Sequence, residues 1–362
     1  MSKPYILLTP GPTPLPDEVL AALSRPILHH RTEEFGRLFE TLLADLQYCL
    51  RTKNRVMALT SSGTGAMESA VCNLLSPGDK AVVHSTGLFG DRFADILKAY
   101  GLLPVVVAEE WGRAASPERL AQALRTHRDA KVVFVQHTDT STGVLNDLKA
   151  LAAVVRAESE AVLVVDAVSG LGGEVLETDL WGLDVVISAS QKGLMNAPGL
   201  SFFSVSDRAW KLAEAARLPR FYLDWRLMAA ALPGKETPFT PAVCLVAGQV
   251  SALGLLRAEG IENVWKRTAE LARYARAKGA KLGLEVFPKD PCNILTAFRL
   301  PAGVDGKKLI KDILREEKIS IAGGQGPLAG KVIRVAHMGH IGKPELDAGF
   351  AALAARLTAS HA

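Results

Sequence analysis

The sequence predicts an α/β protein built on a mostly parallel sheet, with a smaller α+β unit towards its C-terminal end. Three observations carry that expectation. Between about residues 55 and 205, nearly continuous apolar runs alternate with helical patterns, as strands covered on both faces require. The turns that follow several of these runs are rich in Gly, Ser and Thr, and open α/β sheets place their ligands beyond such strand ends. The last hundred or so residues change character, with two long helical stretches leading into shorter alternating elements.

Taken in order, the first ~18 residues hold five prolines between Pro4 and Pro16 and read as an extended arm rather than a core element. Lys80–His84 is a strand, followed by a helix over Asp91–Tyr100 and a strand over Pro104–Ala108. Ser116-Pro117-Glu118 starts a helix, with a capping serine and proline at the first helical position. Strands over Lys131–Gln136 and Ala161–Val165 flank a helix near Leu148–Glu158, and Val185–Ser188 and Ser201–Val205 close the series. Further on come Ile294–Leu300, a helix near Lys307–Glu316, runs at Ile319–Ala322 and Val332–Val335, and a last helix over Pro344–Leu357. The expected division is an arm over 1–18, a large unit over 19–250 and a small unit over 251–362.

Composition narrows the function classes. With 362 residues, 48% of them hydrophobic, the chain is long enough for one large core and a smaller one. A formal net charge of +4 and scattered basic residues give no footprint for nucleic acid or an anionic membrane. No apolar run reaches the ~18 residues of a membrane span, and Met1–Tyr5 does not open a secretory signal. Cys49, Cys72, Cys244 and Cys292 are far apart with no CxxC pair, which fits buried thiols better than a disulfide framework or a zinc site. The expected location is the cytoplasm.

The chemistry lies after the strands. Asp166 ends the run Val162-Leu-Val-Val-Asp166, and Lys192 follows the next run in Ser190-Gln191-Lys192-Gly193. Alone, Asp166 reads as a turn cap and Lys192 as a solvated loop lysine. Together they are what pyridoxal-phosphate chemistry needs: an amine to form a Schiff base and a carboxylate to keep the pyridine nitrogen protonated. Leu59–Glu68 passes from an apolar run through Ser61-Ser62-Gly63-Thr64-Gly65 into a helix, a start that suits a phosphate but equally a tight turn. It is neither a Walker pattern nor a GxGxxG fingerprint, which argues against a nucleotide. The hydroxyl-rich run Thr138–Thr142 reads as a wall for a ring oxygen or as a capping loop, and Phe89, between glycines, as a ring stacker or a loop anchor.

These motifs, in this order and over nearly the whole chain, resemble the class V aminotransferases, nearest the alanine–glyoxylate and serine–pyruvate/serine–glyoxylate branch. The resemblance implies a fold-type I architecture, with a mostly parallel seven-stranded sheet in the large domain and a small α+β domain. It implies pyridoxal 5′-phosphate on Lys192, with Asp166 on the ring nitrogen, Phe89 at a stacking position where relatives often have tryptophan, and Thr140 on the ring oxygen. Ser62, Gly63, Thr64, Val168 and Gln191 match cofactor-binding positions, and Thr237 and Thr240 match residues that reach the phosphate from the neighbouring subunit of a homodimer. Arg334 matches the arginine that grips the substrate carboxylate, with Gly11 of the arm beside it. Serine or alanine is the implied amino donor and glyoxylate or pyruvate the acceptor. A 2-aminoethylphosphonate transaminase, a cysteine desulfurase-like lyase and a non-catalytic subunit stay open as alternatives. His29, His30 and Arg31 read as a pocket entrance or as a solvated helix start.

Overall fold

A computed structural model describes residues 5–359, so Pro4 of the expected arm lies outside the described residues. Seven strands form the larger sheet in the order Arg55–Leu59, Ser201–Val205, Val185–Ala189, Val162–Asp166, Ala130–Gln136, Lys80–Ser85, Val105–Ala108. Ser201–Val205 runs antiparallel to both neighbours, and the other strand pairings are parallel. The sheet is thus the mostly parallel, seven-stranded one that the apolar runs and the resemblance imply.

Alternation within each strand explains why the runs are apolar throughout. In Val162–Asp166, Leu163 and Val165 enter one hydrophobic cluster while Val162 and Val164 enter another on the opposite face. Each such side chain contributes roughly 1.5–3 kcal/mol by leaving water, so both helical layers are held to the sheet. The register sets Gln136 beside Asp166 and Asp166 beside Ile187, bringing the carboxyl ends of three central strands level.

A second sheet has the order Ile6–Leu8, Ile319–Gly323, Val332–Ala336, Leu295–Arg299, Glu285–Val286. Two expectations change here. The arm is not wholly outside a core: Ile6–Leu8 pairs in parallel with Ile319–Ile321, and Leu8 is fully buried. The stretch Tyr5–Thr9 contains no proline, so its backbone N–H groups are available to a ladder. The expected border at residue 250 falls inside one continuous helix, Val243–Glu259, which packs on Glu33–Leu50 and Asp17–Leu23. That helix ends at Gly260, whose φ of +85 a glycine tolerates, and Ile261–Lys281 departs at 86°. No single helix among the described residues is long and apolar enough to cross a membrane.

Candidate active site

Lys192 stands three residues beyond the strand Val185–Ala189, and Asp166 ends the strand beside it. The arm folds over the lysine. Lys192 Nζ donates to the Pro10 carbonyl at 2.6 Å, Thr13 Oγ1 donates to the Lys192 carbonyl at 2.9 Å, and Thr13 N donates to the Gln191 carbonyl at 3.1 Å. Gly11 lies so close that a Cβ there would run into Nζ of Lys192, and its φ of +131 also favours glycine. The sequence motif therefore places a side-chain-free residue against the amine.

The charges here are coupled. Burial lowers the Lys192 amine to about 8, with Asp166 opposing the shift and Arg334 and Arg92 adding to it. Burial, helped by nearby Asp139, likewise pushes the Asp166 carboxyl up to about 6, although the Val168 N–H at 2.9 Å and the cations Lys192 and Arg92 work the other way. Arg334 arrives from the second sheet, where its strand neighbours are Ala297 and Ala322. It is buried, its Nε donates to the Gly323 carbonyl at 2.8 Å and its Nη1 to the Thr140 carbonyl at 2.7 Å. Burial lowers it to about 10. Among the described residues no carboxylate comes within ion-pair distance of Arg334.

The phosphate-like turn opens the helix Gly63–Leu74. Ser62 is its N-cap residue and makes no side-chain capping bond, so the first N–H groups have no partner from that side chain. A Cβ on Gly63 would come within 2.9 Å of Val168 Cγ2, and one on Gly65 within 2.7 Å of Ser61 Oγ, so these positions accept only glycine without rearrangement. Gln191 Oε1 is buried with no hydrogen-bond partner. An uncapped helix start, an orphaned amide oxygen and a buried carboxylate with one donor are a donor and acceptor set that fits pyridoxal 5′-phosphate.

The remaining predicted residues separate into two places. Phe89 and Thr140 belong to this cleft: Phe89 N donates to Asp139 Oδ2 at 3.0 Å, and Thr140 is the residue whose carbonyl Arg334 grips. Thr237 and Thr240 lie on another loop, beside Phe239 and Thr60. Thr237 Oγ1 donates to the Phe239 carbonyl at 2.7 Å, while Thr240 is exposed. Arg31 pairs with Glu236 and donates to the Thr237 carbonyl at 3.1 Å, and the rings of His29 and His30 meet at 4.9 Å. Arg31 thus joins the Thr237 loop.

Sequence reasoning missed Asp139 and Arg92. Asp139 is fully buried and accepts from the N–H groups of Phe89, Gly90 and Ser141, which fixes Phe89 at the start of the helix Leu88–Ala99. Arg92 lies one helical turn beyond Phe89 and sets its guanidinium 4.7 Å from that ring. The i, i+3 spacing in Phe89-Gly-Asp-Arg92 was the signal available for it.

An amine and a carboxylate at adjacent strand ends, met by an arginine from a second sheet, define the fold-type I pyridoxal-phosphate aminotransferases as the architecture. The family described as Aminotransferase class-V matches residues 6–338, and the chain belongs to it; it is an aminotransferase. A soluble hydrogenase small subunit from Synechococcus sp. is 39% identical, covering 99% of this chain and 94% of that protein. A serine–glyoxylate aminotransferase from Methylorubrum extorquens is 36% identical, covering 94% and 88%. The crystal structure of an alanine–glyoxylate aminotransferase from Nostoc sp. superposes with a TM-score of 0.94 at 32% identity, covering 99% and 96%.

Proposed function

We propose that this aminotransferase moves the amino group of serine or alanine to glyoxylate or pyruvate, using pyridoxal 5′-phosphate held at Lys192. The convergence of Lys192, Asp166 and Arg334 from two sheets is the observation that carries this reading. The names of the relatives in Methylorubrum and Nostoc support the substrate pair.

Bound there, the cofactor supplies an aldehyde that takes the amino group and a protonated ring that accepts the electrons of the breaking Cα–H bond. The chain supplies the rest. Arg334 binds the substrate carboxylate with a fork oriented by the carbonyls of Gly323 and Thr140. Asp166 holds the proton on the ring nitrogen. Ser62, Gly63 and Thr64 would hold the phosphate at the open helix start, Thr140 would bond the ring oxygen, Phe89 would stack on the ring, and Gln191 and Val168 would complete the cofactor site. Lys192, with its amine lowered to about 8, has a usable free-base fraction near neutral pH and carries the proton to and from the substrate Cα. Gly11 and Pro10 close over it and limit water.

Thr237 and Thr240 are assigned to the partner protomer's phosphate, which makes the active unit a homodimer. The exposed Thr240 and the nearby exposed aromatic rings of Phe221 and Tyr222, packed against Phe239, support that assignment. The four cysteines are free, in keeping with a reducing cytoplasm. A cysteine-based lyase is disfavoured, since Cys292 is buried and its thiol is pushed up to about 12.

The test is a visible absorbance spectrum of purified protein supplied with pyridoxal 5′-phosphate, then with L-serine, L-alanine or 2-aminoethylphosphonate separately. Bleaching of the visible band by serine or alanine, with glyoxylate restoring it, is the expected result. No band after addition of the cofactor would leave the non-catalytic reading, and bleaching by 2-aminoethylphosphonate alone would move the substrate class.

A further inference from the structure

Two helix starts border the cleft, and they differ in how their free N–H groups are treated. At Leu88–Ala99, Leu88 N donates to Ser141 Oγ at 3.1 Å, while Phe89 N and Gly90 N donate to Asp139 Oδ2 at 3.0 and 3.4 Å. That start already holds a carboxylate. At Gly63–Leu74 no side chain caps, so this end attracts an anion from outside the chain. A phosphate monoester carries about two negative charges near neutral pH, whereas a helix start offers only about half a positive charge. A full cation is missing from the cradle as described.

Arg92 is placed to provide it. It grows from the capped helix and reaches the uncapped one, where its Nη1 donates to Thr64 Oγ1 at 3.1 Å. Its guanidinium also lies 4.7 Å from the Phe89 ring. It is half-buried, and among the described residues no carboxylate comes within ion-pair distance of it. A partly desolvated guanidinium without a counter-ion is costly unless a ligand brings one, and an arginine fork matches phosphate oxygens two at a time. Arg334 is not a substitute, because Gly323 and Thr140 hold it at the second sheet.

We propose that Arg92 is the cation that neutralises the cofactor phosphate, so that the two arginines divide the two anions: phosphate on Arg92, substrate carboxylate on Arg334. This rests on the functional reading above and adds to it a binding residue outside the cradle turn. Binding of pyridoxal 5′-phosphate and of pyridoxal, which lacks the phosphate, is to be measured by equilibrium titration of the full-length apoprotein, Arg92→Gln and Arg92→Lys, with thermal unfolding as the check on folding. Arg92→Gln is expected to weaken pyridoxal 5′-phosphate by about 10–100-fold and to leave pyridoxal within about 2-fold, with Arg92→Lys recovering part of the loss. Equal weakening of both ligands would place Arg92 on the ring through Phe89 and overturn the assignment, as would no change in either. A wild-type protein that binds neither ligand would instead bring down the functional reading itself.

Discussion

Asp166 and Glu174 stand on either side of the turn Ala167–Gly173, both buried, and burial raises both carboxyls: Asp166 to about 6 and Glu174 to about 7. Their hydrogen bonds differ. Glu174 accepts from Asn293 N, from Asn293 Nδ2 at 3.1 Å and from Ile294 N at 3.1 Å, tying the turn to the segment that enters the strand Leu295–Arg299. Asp166 accepts a single bond, from Val168 N. A buried carboxylate with its lone pairs taken holds structure together; one left with open lone pairs has room for a donor brought by a ligand. The same contrast separates the helix start filled by Asp139 from the one left open at Ser62.

The largest expected effects fall on the open carboxylate and its neighbour. Lys192→Ala should reduce turnover by about 10⁴-fold or more, because the transferred proton loses its carrier. Asp166→Asn should lower kcat/KM by about 10²–10⁴-fold with little change in Tm, since only one internal hydrogen bond is at stake. A drop in Tm as large as that of a Glu174 variant would break the comparison. Glu174→Ala should do the reverse. It orphans three donors and costs about 2–4 kcal/mol in urea unfolding, while kcat per folded molecule stays within about 3-fold.

The smallest effect is in pH dependence. Glu174 has an ordinary value of 4.5 and is raised to about 7, so across that window the folded chain binds more protons than the unfolded one. Its contribution is therefore fully present below about 4.5 and is lost as pH rises to about 7. Asp166 adds a slope of the same sign between 3.8 and about 6. In urea titrations from pH 4.5 to 7, Glu174→Gln should gain stability relative to the wild type as pH rises, on top of the opposite slope that buried His137 and His337, lowered to about 4 and about 3, give both proteins. An unchanged difference between the two proteins would mean that Glu174 is ionised throughout. Lys192, lowered from 10.5 to about 8, contributes the opposite slope above pH 8, where the unfolded chain holds the extra proton.

Much of this was legible in the sequence because local physics wrote it there. The runs that became Ala130–Gln136, Val162–Asp166 and Val185–Ala189 are apolar at most of their buried positions, and the change from apolar to polar residues at their ends marked Asp166 and Lys192 in the sequence itself. Ser116 caps its helix as expected, accepting from Arg119 N at 3.2 Å. Helix and strand periods depend on neighbours a few residues apart, so a single chain displays them.

What only the tertiary structure decided are the meetings across long separations. Ile6–Leu8 becomes a strand only because Ile319–Gly323 offers it an edge, and Gly11 matters only because that pairing lays the arm over Lys192. Arg334 looks like any strand-surface arginine until the second sheet carries it to the Thr140 carbonyl, and Arg92 like any helix arginine until it reaches Thr64. A residue's own neighbours set its secondary structure, but the charge it faces is set by strand order and register, which closely spaced residues do not encode.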